Sequence, residues 1–200
     1  MSFAKRVSET LQMEYSKAKS ADYNYAQLFR DRVFRQRNSE SAVIRLERPS
    51  NLPRARALGY KAKQGFLVAQ VCIRKGSGLH RRPARGRRPK RMGVTKLTRR
   101  APRQAMAERR AGTKFPNCEV MNSYWVGEDG KQTYYEVILV DRAHPSVLAD
   151  KDRNWIGSHK HTRRAERGLT SRAKKGRGLK KGRGHEKNFP SQRAHDRTAK

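Results

Sequence analysis

The positive charge of this chain is divided unevenly along the sequence, and that division limits which residues can form a buried core. The chain has 49 Lys and Arg against 17 Asp and Glu in 200 residues, a formal net charge of +32. Residues 74–114 carry 16 basic residues and one acidic residue, and residues 159–200 carry 15 and three, whereas residues 115–158 carry four and seven. Because this much like charge opposes compaction, we expect a phosphate-bearing polyanion as partner and a fold built around the acidic stretch.

Apolar patterns predict one modest core in a chain that is 34% hydrophobic. Helical spacing of apolar residues predicts helices over residues 2–20 with Ser2 as cap, after a capping Asp22, and over 102–112. Short β-branched or apolar runs predict strands over residues 42–47, 66–73, 118–126 and 133–140. The Asp129-Gly130 pair predicts a hairpin between the last two. Strands interspersed with helices in this order predict an α+β fold on a small, mainly antiparallel four-stranded sheet.

Two basic stretches contain too few apolar residues to form a core. Residues 74–100 are interrupted by six Gly and Pro residues, which predicts a loop or an extended arm. The core pattern ends after about Trp155, and the sequence KKGRG occurs twice beyond it, at 174–178 and 180–184. We therefore predict a core domain of residues 1–158 with an inserted basic loop at 74–100, and a basic C-terminal extension of residues 159–200.

Arginine outnumbers lysine in the loop, and a guanidinium group can bridge two phosphates or stack on an unpaired base. The pattern lacks the spacing of a helix-turn-helix or a zinc finger, which favours recognition of backbone and shape over base reading. The predicted phosphate-binding residues of the loop are Arg81, Arg82, Arg85, Arg87, Arg88, Lys90 and Arg91. Those of the extension are Arg172, Lys174, Lys175, Arg177, Lys180, Lys181 and Arg183.

The sequence offers little support for catalysis or for a cofactor. No Ser or Cys has a recognisable catalytic partner, the histidines lack the spacing of a zinc site, and neither glycine-rich stretch matches a nucleotide-binding motif. Acidic residues of the central segment could be imagined as a nuclease metal site, but we interpret them as charges of the hairpin turn and the sheet: Glu128, Asp129, Glu136 and Asp141. We predict no enzyme activity and no cofactor, apart from magnesium or potassium ions that accompany bound RNA.

Other patterns bear on compartment and assembly. Cys72 and Cys118 are far apart in apolar runs and are expected to be free thiols of a reducing cytosol. The N-terminal residues lack the apolar run of a signal peptide, and nothing in the chain is long and apolar enough for a membrane span. We expect a cytoplasmic protein with no membrane contact and no homo-oligomer.

Two alternatives to an RNA-binding structural protein stay open from the residues alone. A DNA-compacting chromosomal protein would share the charge, but usually acts as a dimer or through a repeated DNA-facing unit. Competition between duplex DNA and structured RNA distinguishes it. An RNA-modifying enzyme would need a cofactor pocket and an acidic or nucleophilic cluster in the folded chain.

Three stretches of the sequence resemble one known family. LGYKAKQGF (58–66), NSYWVGEDGKQTYYEVILVD (122–141) and HKHTRRAERGLTS (159–171) are similar to the archaeal and eukaryotic large-subunit ribosomal protein family numbered fifteen, which is distinct from the bacterial protein of that number. The resemblance runs in the same order from about Arg54 to about Gly184, and GRRPKRMGV (86–94) resembles the archaeal form. It implies a compact α+β domain with basic extensions, without enzyme activity, bound to ribosomal RNA and neighbouring ribosomal proteins in the large subunit.

The resemblance also implies roles for particular residues. In the first motif the implied RNA-binding residues are Arg54, Arg56, Tyr60, Lys61 and Lys63. In the third they are His159, Lys160, His161, Arg163, Arg164 and Arg167. The middle motif is the implied scaffold, with Tyr124, Trp125, Tyr134 and Val137 as packing residues.

Overall fold

A computed structural model describes residues 2–76, 78–95, 101–179, 182–184 and 187. These residues contain the helices α1 Phe3–Ser16, α2 Tyr25–Arg37, α3 Leu52–Ala57, α4 Arg103–Lys114, α5 Pro145–Leu148 and α6 Ser171–Gly176. The strands are β1 Val43–Leu46, β2 Phe66–Arg74, β3 Cys118–Glu128 and β4 Gln132–Asp141. All four strands join in one antiparallel sheet in the order β1-β2-β4-β3. The predicted α+β class is confirmed.

Strand β4 lies inside the sheet, and each of its residues from 133 to 140 is buried. On one face, Ala107 and Ala111 of α4 pack against the apolar side chains of β2 and β4. On the other face, Val147 of α5 and Ile156 pack against Ile138 and neighbouring side chains. Because both faces are covered, the strand is nearly continuous in apolar residues, as buried strands are.

The hairpin between β3 and β4 forms at the predicted pair, Asp129-Gly130. The Oδ1 atom of Asp129 accepts hydrogen bonds from the backbone N–H groups of Lys131 and Gln132, at 2.7 and 2.6 Å. The hydroxyl of Tyr134 donates to Oδ2 of the same carboxylate at 3.0 Å. Partial burial by itself would raise the pKa of Asp129. The hydrogen bonds stabilise its charged form and hold the pKa below its ordinary value.

Helix boundaries differ from the prediction where a local cap or tertiary packing decides them. Helix α2 begins after Asn24, whose side chain accepts from the N–H of Gln27 at 3.1 Å, and not after Asp22. Helix α4 continues through Gly112 to Lys114, because tertiary packing on the sheet outweighs the low helix propensity of one glycine. Helix α3 lies between the predicted strands 42–47 and 66–73, where no helix was predicted; Asn51 caps it, and its six residues are too few for a clear apolar period.

The core extends beyond Trp155, where the sequence predicted that it would end. Ile156 is fully buried, and Ala165 is 4% exposed in the cluster that also holds the α4 alanines. Ala173 of α6 is buried as well. Single small residues between charged ones give no apolar run, so the pattern did not reveal them. The predicted division at residue 158 stays a prediction; the contacts show that residues 163–173 pack on α4 and β3.

Both cysteines are free, as predicted: Cys118 is buried and Cys72 is half-buried. Burial raises the pKa of the Cys118 thiol to about 11. In the described part of the chain, no helix is long and apolar enough to cross a membrane.

Candidate nucleic-acid interface

The first cationic surface is the basic loop, which we define as residues 78–95 between β2 and α4. Its regular structure is one short 3-10 helix, Pro89–Arg91. All seven predicted basic residues of the loop are exposed, and none forms an ion pair with another described residue: Arg81, Arg82, Arg85, Arg87, Arg88, Lys90 and Arg91. Proline and glycine prevent a longer helix or a strand here. The loop therefore presents positive charge without internal neutralisation by the described residues.

The second surface is the docked tail, which we define as residues 159–179. Two buried glutamates hold its backbone and side chains to the domain. The carboxylate of Glu119 accepts from the N–H groups of Arg163 and Arg164, at 2.7 and 3.3 Å. The carboxylate of Glu108 accepts from the hydroxyls of Thr170 and Ser123. Both glutamates lie in elements next to the tail, so the tail is fixed by the core.

Burial also shifts the pKa values of two groups at this junction. Desolvation raises the pKa of Glu108, although its two hydroxyl donors favour the charged form and partly oppose the shift. Desolvation lowers the pKa of Arg164, and the charges of Glu108 and Glu119 oppose that shift. The Nη1 group of Arg164 donates to the carbonyls of Val120 and Met121, at 2.7 and 2.9 Å. The guanidinium of Arg164 is thus built into the wall of the domain.

The other predicted residues of the C-terminal extension, residues 159–200, differ in how much they are exposed. His161 is half-buried, its ring lies 4.8 Å from that of Trp155, and desolvation followed by the nearby Arg164 lowers its pKa. Arg167 donates from Nε to the carbonyl of Thr162 at 2.9 Å while its residue stays exposed. Lys174 is half-buried, and the exposed members are His159, Lys160, Arg163, Arg172, Lys175, Arg177 and Arg183. Lys180 and Lys181 lie outside the described residues.

The first motif divides into exposed and internally paired residues. Arg54 and Arg56 are exposed on α3, and Tyr60 packs its ring edge-on against that of Phe66 at 6.3 Å. The ammonium groups of Lys61 and Lys63 both contact Oδ2 of Asp150, at 2.8 and 2.6 Å.

These two lysines hold the pKa of Asp150 well below its usual range. The hydrogen bonds to Asp150 and Asp152 raise the pKa of Lys61. The sequence did not indicate this pairing, because the partners lie about ninety residues apart.

Every acidic residue of the segment 115–158 contacts a group inside the fold. Glu136 is the most buried of them; it accepts from the N–H of Ser50 at 3.1 Å and from the hydroxyl of Tyr124, and burial raises its pKa. The full set is Glu119, Glu128, Asp129, Glu136, Asp141, Asp150 and Asp152. In the part of the chain that the structure describes, no three His, Cys, Asp or Glu side chains come together as metal ligands do. The central acidic residues thus act in turns, caps and ion pairs.

Three of the four implied scaffold residues are buried: Tyr124, Tyr134 and Val137. Trp125 is 38% exposed and contacts the ring of Tyr15 of α1 at 4.9 Å. Sequence reasoning missed Arg153 and Trp155, which line one cavity together with Arg164. In the sequence these residues are only one arginine and one tryptophan at the end of the apolar pattern. Two such residues do not indicate a site, because the cavity forms only when the tail folds against them.

The acidic residues of segment 115–158 contact groups inside the sheet domain, and two arginine-rich segments are exposed. These features place the chain in the class of basic proteins suited to binding phosphate backbones. A family model described as Ribosomal L15 matches residues 8–195. The large ribosomal subunit protein eL15 of Methanocella arvoryzae is 57% identical over 162 residues, covering 80% of this chain and 83% of the relative. The protein of the same name from Haloarcula marismortui is 52% identical over 157 residues, covering 78% and 80%. The chain belongs to the Ribosomal L15 family, which confirms the resemblance read from its three motifs.

Proposed function

We propose that this chain is a structural constituent of the large ribosomal subunit in the cytoplasm, where it binds and stabilises the large-subunit ribosomal RNA and so supports translation. Membership of the family and the names of its archaeal relatives support this assignment. The observation that carries the RNA-binding part is the basic loop, whose seven exposed cations have no acidic partner among the described residues. Such cations gain most from contact with phosphates.

The proposed mechanism is electrostatic and geometric. Phosphate contacts release counterions, and the basic loop follows the RNA backbone. The sheet domain holds the docked tail in a fixed position relative to the basic loop. Glu108 and Glu119 fix the tail before RNA arrives, which lowers the conformational entropy that binding has to remove. In this proposal the chain has no catalytic activity and needs no cofactor beyond the magnesium or potassium ions of the RNA. Its partners are ribosomal RNA and neighbouring ribosomal proteins, and it acts as a single copy without a membrane.

The salt dependence of binding tests the mechanism. About ten phosphate contacts predict that log Kobs falls against log salt with a slope on the order of −7 to −9. The measurement is a titration of the full chain with purified large-subunit ribosomal RNA at several salt concentrations. A slope shallower than about −3 would contradict the mechanism, because it corresponds to about four contacts. Equal competition by duplex DNA would instead favour a DNA-compacting role.

Assembly is tested separately by sedimentation. A tagged chain expressed in an archaeal host is expected to sediment with large ribosomal subunits and to stay bound in moderate salt. A chain found only in fractions lighter than the subunits would rule out the structural role.

A further inference from the structure

A cavity of about 440 Å³ lies where the end of α3, the middle of β3, the Arg153–Trp155 turn and α6 meet. This volume is within the roughly 300–1,000 Å³ typical of small-ligand sites. Four of its lining residues are cations: Arg153, Arg164, Lys174 and Lys175. Of the described residues that line the cavity, none is acidic, and neither lysine pairs with a carboxylate of the described chain. The charge of the cavity selects an anionic ligand.

The cavity also has an aromatic wall. Trp155 is 37% exposed; the guanidinium carbon of Arg164 lies 5.0 Å from the centroid of its ring, and the ring of His161 packs edge-on at 4.8 Å. Leu58 and Met121 add apolar surface, and Asn122 adds an amide. Unpaired bases in RNA complexes stack on aromatic rings and on guanidinium planes. An anionic, planar, partly polar ligand fits all of these groups together.

The walls of the cavity are fixed without a ligand. The Nε group of Arg153 donates to the carbonyl of Gly59 at 3.3 Å, and Arg164 is held by the β3 carbonyls. Gly59 has φ of +106°, and a Cβ added to it would lie 2.7 Å from the sulfur of Met121. Only glycine suits this backbone and this close approach. The Nε of Arg164 is buried and has no hydrogen-bond partner among the described residues.

We infer that this cavity binds a single unpaired nucleotide of the RNA, with the base against Trp155 and Arg164 and the phosphate beside Lys174 and Lys175. The inference rests on the proposed function and narrows it, because phosphate contacts alone require no unpaired base. A free nucleoside monophosphate has the same chemistry, but an RNA nucleotide also brings flanking phosphates within reach of the exposed tail residues Arg172 and Arg177. The cavity thus makes the docked tail selective for bulged or looped RNA over continuous duplex.

The two tryptophans of the chain allow a direct measurement. In a Trp125→Phe background, Trp155 is the sole tryptophan, and a base that stacks on it is expected to quench its fluorescence. The probes are an RNA hairpin with a one-nucleotide bulge, the same hairpin without the bulge, and adenosine monophosphate. We expect saturable quenching with the bulged hairpin at micromolar protein, little with the paired hairpin, and none with the monophosphate below millimolar concentration. Tight binding of the monophosphate would overturn the inference in favour of a free nucleotide.

Affinity measurements on paired variants complete the test. Trp155→Ala is expected to weaken binding of the bulged hairpin about tenfold, since loss of base stacking costs on the order of a tenfold change or more, and to alter the paired hairpin less than about twofold. Lys174→Gln with Lys175→Gln is expected to show the same selectivity. The matched control, Arg87→Gln with Arg88→Gln in the basic loop, should weaken both hairpins equally. Trp155→Phe retains an aromatic ring and should restore most of the affinity.

The outcomes separate this inference from the proposed function. Equal losses for both hairpins with the cavity variants, or no loss in either, would overturn the nucleotide site while leaving RNA binding intact. If Trp155→Ala does not fold by circular dichroism, the lysine pair and Trp155→Phe decide alone. A wild-type chain that binds neither hairpin more tightly than duplex DNA would instead contradict the proposed function.

Discussion

The basic loop and the docked tail carry the same net charge, +7, and yet they have opposite structural contexts. The loop has seven Lys and Arg and no acidic residue, and the tail has eight and one. The loop has exposed cations on a backbone broken by proline and glycine. The tail inserts Ala165 and Ala173 beside α4 and is held by buried carboxylates. Charge density therefore does not decide whether a basic segment is ordered by its own domain; small apolar residues and acceptors in the core decide it.

The difference arises in the acidic segment. Glu119 binds the N–H groups of two consecutive tail residues, one of which, Arg163, has a left-handed backbone with φ of +51°. A left-handed conformation costs a side-chain-bearing residue about 1–2 kcal/mol. Two hydrogen bonds to a carboxylate offset that cost, since each charge-assisted bond is worth about 1.5–3 kcal/mol. Glu119 thus stabilises a turn that the tail sequence alone would not adopt.

The largest expected effect is the loss of RNA affinity when the basic loop is deleted and the docked tail is kept. Replacing residues 78–95 with a short glycine-serine linker removes seven exposed cations. We expect affinity for large-subunit ribosomal RNA to fall about 10³-fold or more at moderate salt, and the salt slope to become shallower by about 5–6. The sheet should persist, because the described loop residues contribute no strand or core side chain. RNA titrations and far-ultraviolet circular dichroism measure the two quantities.

Either of two results for the deletion variant would contradict the contrast between the basic loop and the docked tail. Loss of the strand signal in the deletion variant would mean that the loop supports the fold. Unchanged RNA affinity would mean that the docked tail carries the electrostatic binding alone. The control is a scrambled loop with the same residues in a different order, which keeps the charge and should keep most of the affinity.

A smaller effect, on stability, comes from one substitution made in both regions. Ala165→Asp places a carboxylate in the buried contact between the tail and α4, without a cation to pair with it inside the cluster. Leaving a charge buried and unpaired costs about 3–5 kcal/mol. Ala84→Asp makes the same change at an exposed position of the loop and should alter the free energy of unfolding by less than about 0.5 kcal/mol. Urea unfolding measures both; equal stabilities would show that the tail is not part of the folded unit.

The sequence predicted most of the sheet, because β1 to β4 are runs of β-branched and aromatic residues that a turn pair or prolines delimit. It missed the parts of the fold that depend on single contacts. Asn51 caps a helix too short to show a period, and Ala165 is buried alone among charged residues. Local propensity reports on neighbours along the chain, whereas these positions are decided by groups that meet only after folding.

The same limit applies to the candidate site. The basic side chains of the loop were visible in the sequence, because exposure needs no partner. The pairing of Lys61 and Lys63 with Asp150 was not, and neither was the cavity between Trp155 and the lysines of α6. A count of basic residues treats all of them alike, and the structure distinguishes those that have an internal counter-charge. Whether each predicted residue contacts RNA stays a prediction.

The smallest expected effect is on the pH dependence of stability, through Glu108, the buried carboxylate that holds the docked tail. Burial raises the pKa of Glu108 above its ordinary value of 4.5, so the folded chain holds this proton at a pH where the unfolded chain has released it. The stability associated with this group is fully present below about pH 4.5 and is lost as pH rises through the folded-state pKa. Glu108→Gln keeps one side-chain oxygen that accepts from a hydroxyl, places an NH2 group where the second hydroxyl can accept a hydrogen bond, and has no proton to lose. Its free energy of unfolding should therefore rise relative to wild type between pH 4 and pH 7, by on the order of 1 kcal/mol.

Glu166→Gln is the matched control, because Glu166 is an exposed carboxylate of the same tail. Urea unfolding at several pH values between 4 and 7 gives both differences from wild type, in which the titration of all other groups cancels. A difference for Glu108→Gln that runs in the opposite direction would mean that the two hydroxyl donors outweigh desolvation and that the carboxylate is charged throughout. The tail would then be held by charge-assisted bonds at both glutamates, and its docking should weaken in acid, which is the reverse of the behaviour expected from burial.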